Sequence, residues 1–166
     1  MKALTLFQPW AVLVGIGAKR IETRSWGTKY RGRLAIHVSA RIPPEYRHLC
    51  GWAAPRPFDT VLEGILWEKK PVIMRLYGQD TPGISYHELR ENLHLGCVTA
   101  IVDLVDCIPI AEYFKVSEQE RAFGNYTPGR WAWMFGEVHA LPTPIPAKGM
   151  QRLWEWKEPC PLTTTV

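Results

Sequence analysis

The chain has 166 residues, of which 46% are apolar, 22% charged and 11% aromatic; that composition describes one compact domain and excludes a disordered, coiled-coil, collagen-like or membrane-spanning chain. Twenty Lys and Arg against sixteen Asp and Glu leave a net charge of +4, which fits a nucleotide or nucleic-acid partner but falls far short of the polybasic load of a protein gripping many phosphates. Composition leaves one excess unexplained, the eight tryptophans at Trp10, Trp26, Trp52, Trp67, Trp131, Trp133, Trp154 and Trp156.

In chain order, Ala3 to Phe7 is an apolar run halted by Gln8-Pro9. Proline opens a helix well, because its missing N–H has no intrahelical partner there. A helix from Pro9 to about Ile16 is expected, with Trp10, Leu13 and Val14 on one face and Gly17 as a left-handed stop. The segment AKRIETRSW then reads as a strand, and Arg33 to Ser39 as another, with Leu34, Ile36 and Val38 facing the core and Ala35, His37 and Ser39 the other side. Residues 41–58 carry four prolines and predict an irregular excursion. A helix from Asp59 to about Lys69, a brief strand over Val72 to Tyr77 and a helix opened by the Ser85–Glu88 capping box follow. Cys97 to Cys107 is the strongest strand signal, with Val98, Ala100, Val102 and Leu104 on one face. Pro109 to Phe114 suggests a helical turn, Ser117-Glu118-Gln119-Glu120 is a second capping box, and Trp131–Leu141 and Leu153–Trp156 close the list as strands. The fold class expected is α+β, a small β-barrel of mostly antiparallel, closed sheet surrounded by helices.

Cys50, Cys97, Cys107 and Cys160 are widely spaced, without a CxxC pair, and read as buried thiols of a reducing compartment. The apolar N-terminal stretch is interrupted by Gln8-Pro9 and followed by no small-residue cleavage site, so a cytoplasmic location is expected, with no membrane partner. His48, His87, His94 and His139 form no HxH or HExxH pattern, and neither a metal nor a cofactor is expected.

Charge concentrates in Gly17-Ala18-Lys19-Arg20-Ile21-Glu22-Thr23-Arg24. If this segment is extended, Arg20, Glu22 and Arg24 share one face and Ile21 and Thr23 the other. It is then either a surface ion-pair ladder or an acid–base pair in which burial lowers the lysine's proton affinity and a neighbouring carboxylate raises it.

FQPWAVLVGIGAKRIETRSW, YRGRLAIHVSA, GCVTAIVDLVDC, FGNYTPGRWAWMF and PIPAKGMQRLWEW together resemble an ASCH domain, a branch of the PUA-like superfamily. The resemblance spans nearly the whole chain, read as a single domain over 1–166 with residues 41–96 as a variable insertion. It implies a helix-decorated β-barrel with a cleft in which Gly17-x-Lys19-x-x-Glu22-x-Arg24 is displayed. The family has been associated with RNA binding, with coactivator roles, with nuclease activity and, in small bacterial members, with amidohydrolysis of N4-acylated cytidines such as N4-acetylcytidine. In that amidohydrolase type a lysine works with a threonine three positions on and a later glutamate; here Lys19 matches, but position 22 is glutamate.

The expectation drawn from the resemblance is a metal-independent amidohydrolase acting on a nucleoside or modified base, with a ribonuclease or a non-enzymatic RNA-binding module as alternatives. Glu22 would activate water while Lys19 stabilises the oxyanion or protonates the leaving nitrogen, or neutral Lys19 would be the base. Glu120 is the candidate second carboxylate, with Glu118 in reserve; Glu120 is equally explained as the reciprocal member of the Ser117 capping box. Trp10 or Trp26 would stack a pyrimidine, Gln8, Arg24 and Asn125 would read its edge, and Tyr126, Arg130 and His37 would line the cleft. Lys148 would contact phosphate if a polynucleotide binds. Trp131, Trp133, Trp154 and Trp156 are expected to build the barrel.

Overall fold

The computed structural model describes residues 1–44 and 94–159. In chain order its elements are β1 (Lys2–Leu6), α1 (Trp10–Gly15), β2 (Ile21–Arg24), β3 (Gly32–Val38), β4 (Cys97–Pro109), α2 (Glu118–Ala122), β5 (Trp131–Pro146) and β6 (Leu153–Glu155). The helices and strand expected between residues 59 and 93 lie outside the described residues, as do Cys50, Cys160, Trp52 and Trp67.

Among the described residues six strands form one sheet in the order β2-β5-β4-β3-β1-β6. The long β4, rich in β-branched residues, sits near the middle and pairs antiparallel with both β3 and β5, while β1 runs parallel to β3. The sheet curls like half a barrel: Arg24, on the β2 edge, reaches across to the carbonyl of Thr5 on β1 at 2.9 Å. The described strands thus form a curled half-barrel, consistent with the expected β-barrel, and Arg24 makes a side-chain contact from β2 to β1. The two short helices described stand beside this sheet and do not encircle it. No helix among the described residues is long and apolar enough to cross a membrane.

Both faces of the sheet are covered. On the concave face Leu4, Leu6, Leu34, Ile36, Ala100, Val102 and Leu104 pack with Trp133 and with Ala11 and Val14 of α1. The helix lies here because its apolar positions recur at helical spacing, and burying a residue of that size contributes roughly 1.5–3 kcal/mol. On the other face Ala3, Ala35, Val98 and Ile101 are sealed by Trp154 and Trp156. Val98 was expected beside Ala100; a register irregularity between the two, where β4 meets β5, turns it to the opposite face. The helical turn expected at Pro109–Phe114 is a single turn in which Phe114 N–H donates to the carbonyl of Ala111. Trp133, Trp154 and Trp156 are buried and Trp131 half-buried, as expected of residues that build the sheet.

Candidate functional site

The charged motif is positioned by the end of α1. Gly17 adopts φ +76°, and the single carbonyl of Leu13 accepts from the N–H of both Ala18 and Lys19 at 2.9 Å, so the chain turns sharply into β2. This turn sends the Lys19 side chain inward, where it is fully buried. Its ammonium donates to the carbonyls of Ile21 at 2.5 Å and Phe123 at 3.0 Å, and Glu22 Oε2 stands 3.8 Å away. Burial pulls the Lys19 proton affinity below that of a free lysine, and the carboxylates of Glu22 and Glu120 oppose that pull.

Glu22 and Arg24 share a face of β2, as the alternation predicts. Arg24 Nε is 3.1 Å from Glu22 Oε1, an ion pair in which the N–H is not aimed at the oxygen, and Arg24 Nη2 makes the bond to Thr5. β6 pairs with β1 at Lys2, Ala3 and Leu4, so beyond Leu4 the carbonyl of Thr5 is taken by arginine in place of a strand. The Glu22 side chain retains 12% exposure and that of Arg24 28%, so both border solvent while Lys19 does not. Thr23 points the other way and is buried.

Helix α2 clamps the same turn. Ser117 Oγ accepts from Glu120 N–H at 3.2 Å, the first half of the capping box. The second half is missing, because the Glu120 carboxylate accepts from the backbone N–H of Arg20 and from the Tyr126 hydroxyl at 3.0 Å. Gln119 adds a bond to the carbonyl of Ala18 at 2.7 Å. Glu120 is thus brought to the lysine turn as expected, but as a tie between segments 100 residues apart. Burial, and then the Glu120 charge, push the Tyr126 hydroxyl far above the ordinary tyrosine range.

On the solvent side the site ends in a rim. Trp26 packs edge-on to Trp133 at 4.7 Å, and its carbonyl accepts from Trp133 Nε1 at 3.1 Å. Gly27 is required beside it, since a Cβ there would lie 2.4 Å from the Trp131 ring. The guanidinium of Arg152 lies 5.7 Å from the centre of the Trp26 ring. Arg152 belongs to the 147–152 loop, which is held from beneath: Thr5 Oγ1 donates to the carbonyl of Met150 at 2.9 Å, and His37 Nε2 is 3.0 Å from that of Ala147.

The remaining expected residues scatter. Gln8 is fully buried, and its Oε1 accepts from Val12 N–H at 3.0 Å, tying down the start of α1. Trp10 opens that helix, half-buried. His37 lies on the sheet face opposite Lys19 and Glu22, against Trp154 at 5.5 Å. Asn125 organises its own loop by accepting from Thr127, and Arg130 donates to the carbonyls of Asn125 and Thr23. Glu118 is exposed on α2. Among the described residues no group of three His, Cys, Asp or Glu side chains is placed to hold a metal ion. Thr5, Gln119 and Arg152 were not singled out from sequence. Each acts through a fold contact across the chain, for which local pattern carries no signal.

A family model for the ASCH domain matches residues 4–144. The chain is also 26% identical over 152 residues to activating signal cointegrator 1 of Homo sapiens, and to the same degree to that of Mus musculus. Each alignment covers 92% of this chain and 22% of the relative, so the chain spans about a fifth of the length of the curated relatives it matches.

Proposed function

This chain belongs to the ASCH domain family, and from that premise we propose that the rim formed by Glu22, Arg24 and Trp26 recognises a base of RNA or of a modified nucleotide by binding it. We take the domain as 1–166 with 41–96 inserted, working in the cytoplasm. The observation that carries the proposal is the state of Lys19. Its ammonium is fully buried and donates to two main-chain carbonyls, so its charge holds the turn together and orients Glu22. What faces outward is a carboxylate that can accept from an exocyclic amino group, an arginine, and an indole on which a base can stack. A net charge of +4 suits a few phosphate contacts.

One observation favours a second proposal, the metal-independent amidohydrolase. A lysine whose proton affinity is lowered by burial stands 3.8 Å from a carboxylate, the pairing an acid–base step needs. Water activated by Glu22 would attack the acyl carbon of an N4-acylcytosine; the C–N bond would break, the acid would leave, and the cytosine nitrogen would take up the proton.

One experiment separates the two. The protein is titrated with a short RNA carrying a single N4-acetylcytidine, and the RNA is then analysed by chromatography. Binding should weaken with salt, survive Glu22→Gln within a few-fold because the amide oxygen still accepts, and leave the acetyl group in place. Release of acetate that disappears in both Lys19→Ala and Glu22→Gln would overturn the binding proposal in favour of hydrolysis. Degradation of the RNA, with or without chelator, would point to a nuclease.

A further inference from the structure

We propose that Arg152 is a displaceable plug on the Trp26 ring, which swings away to admit a base and then meets the phosphate beside it; this rests on the base-recognition proposal above. Three features of the rim lead there.

The first is occupancy. A guanidinium 5.7 Å from the ring centre is at cation–π distance, and a base stacked on that face of the indole would need the same space. Arg152 and a base therefore compete for one surface. The guanidinium is exposed and, among the described residues, lies within ion-pair distance of no carboxylate, so its contact with the indole is what holds it in place.

The second is the contrast between a fixed support and a free side chain. Trp26 is braced by Trp133 through both the ring contact and the carbonyl bond. The loop backbone beneath Arg152 is pinned as well: Ala147 N–H donates to the carbonyl of Gly96 at 2.9 Å, Met150 is held by Thr5, and a Cβ on Gly149 would sit 2.2 Å from His37. Admitting a ligand therefore asks for rotation of the Arg152 side chain and for no movement of the loop.

The third is backbone conformation. Arg152 has φ +59°, a left-handed geometry that is unfavourable for a residue with a Cβ and is ordinarily taken by glycine or asparagine. Arginine at this position carries a backbone cost that glycine or asparagine would not, the kind of local strain that collects at binding surfaces.

A plug that becomes a phosphate contact has a signature that a merely structural arginine lacks: its removal moves two ligands in opposite directions. Cytidine, which is uncharged, should bind Arg152→Ala about two- to fivefold tighter than it binds the wild type, since the lost cation–π contact no longer competes. A cytidine hexanucleotide should bind the same variant more weakly at low salt, with a salt slope lower by about 0.7, the loss of one phosphate contact on a single strand. Arg152→Lys should recover most of the hexanucleotide affinity. Both titrations are followed through the Trp26 indole resonance, assigned with Trp26→Phe. If cytidine binds Arg152→Ala no better than wild type while the hexanucleotide still binds the wild type, the plug is refuted and base recognition stands. If neither ligand shifts the Trp26 resonance in the wild type, both proposals fall.

Discussion

Lys19 and Arg152 are two cations whose surroundings differ in nearly every respect. Lys19 is fully buried and directed by two carbonyls, with Glu22 and Glu120 as its nearby carboxylates. Arg152 is exposed and held by contact with one aromatic ring. A charge taken out of water and fixed by hydrogen bonds serves architecture, because moving it would leave polar groups unpaired in a dry interior. A charge on the surface, resting on an indole, exchanges partners at little cost. Glu22 stands 3.8 Å from the lysine on one side and keeps 12% exposure. On the base-recognition proposal, the compact GxKxxExR motif divides into a structural half, Lys19, and a recognition half, Glu22 and Arg24.

The largest effect that tests this division is on stability. Lys19→Ala removes the ammonium from two carbonyls and leaves Glu22 with Arg24 as its one remaining ion-pair partner among the described residues, and should destabilise the fold by about 3–5 kcal/mol in denaturant unfolding. Lys19→Met, which keeps the stem and loses the charge, should recover part of that loss. If Lys19→Ala instead unfolds within about 1 kcal/mol of wild type and loses all activity toward an N4-acylcytidine, the lysine belongs to the chemistry and the contrast with Arg152 collapses.

A smaller effect is expected at the clamp. Glu120→Ala leaves the Arg20 N–H and the Tyr126 hydroxyl without their acceptor and should lower stability by about 1–3 kcal/mol, while Tyr126→Phe should lower it by about 1 kcal/mol. Because the two side chains bond each other, their double mutant should fall short of additivity. Strict additivity would show that Glu120 acts apart from Tyr126, and would reopen its assignment as a second carboxylate for chemistry.

The strands, the Pro9 helix with its Gly17 stop, and the shared face of Glu22 and Arg24 were legible in the sequence because each depends on residues a few positions apart. The division of labour within the motif was not. Lys19 reads as a cation beside a carboxylate, and only the turn that seats it under Phe123, 104 residues away, shows where its charge is spent. Glu120 satisfied the local capping pattern and half obeyed it; the other half went to Arg20, a partner no local rule could name. The extent of the curl was not legible either, since strand periodicity says which residues face inward and nothing about how near the sheet edges approach. Trp10 and Trp26 were set apart in the sequence from the four tryptophans expected to build the sheet; in the structure Trp26 packs, partly buried, against the same core as Trp131. The arginine neighbour of Trp26 was hidden in a loop whose course depends on His37 and Thr5.

His37 provides the gentlest test, because it touches the rim's support and leaves the lysine end alone. Its ring sits among Trp154, Thr5, Gly149 and the Ala147 carbonyl, a set without a charged side chain. Burial holds its proton affinity below that of a free histidine, with the Ala147 and Gly96 carbonyls pulling weakly the other way. Below pH 6.5 the unfolded chain therefore binds more protons than the folded one, and stability falls as the pH drops until the folded ring is protonated too. Protonation adds a donor at Nδ1, a buried atom that makes no hydrogen bond in the folded chain. The strain should appear first in the loop that rests on this ring. Amide protection factors at 147–152, corrected for the intrinsic pH dependence of exchange, should fall between pH 7 and pH 5 while those of 18–24 hold, and His37→Gln should remove the difference. An equal fall in both segments would mean that the lysine end and the rim loosen together, and that the boundary drawn at Glu22 is not an energetic one.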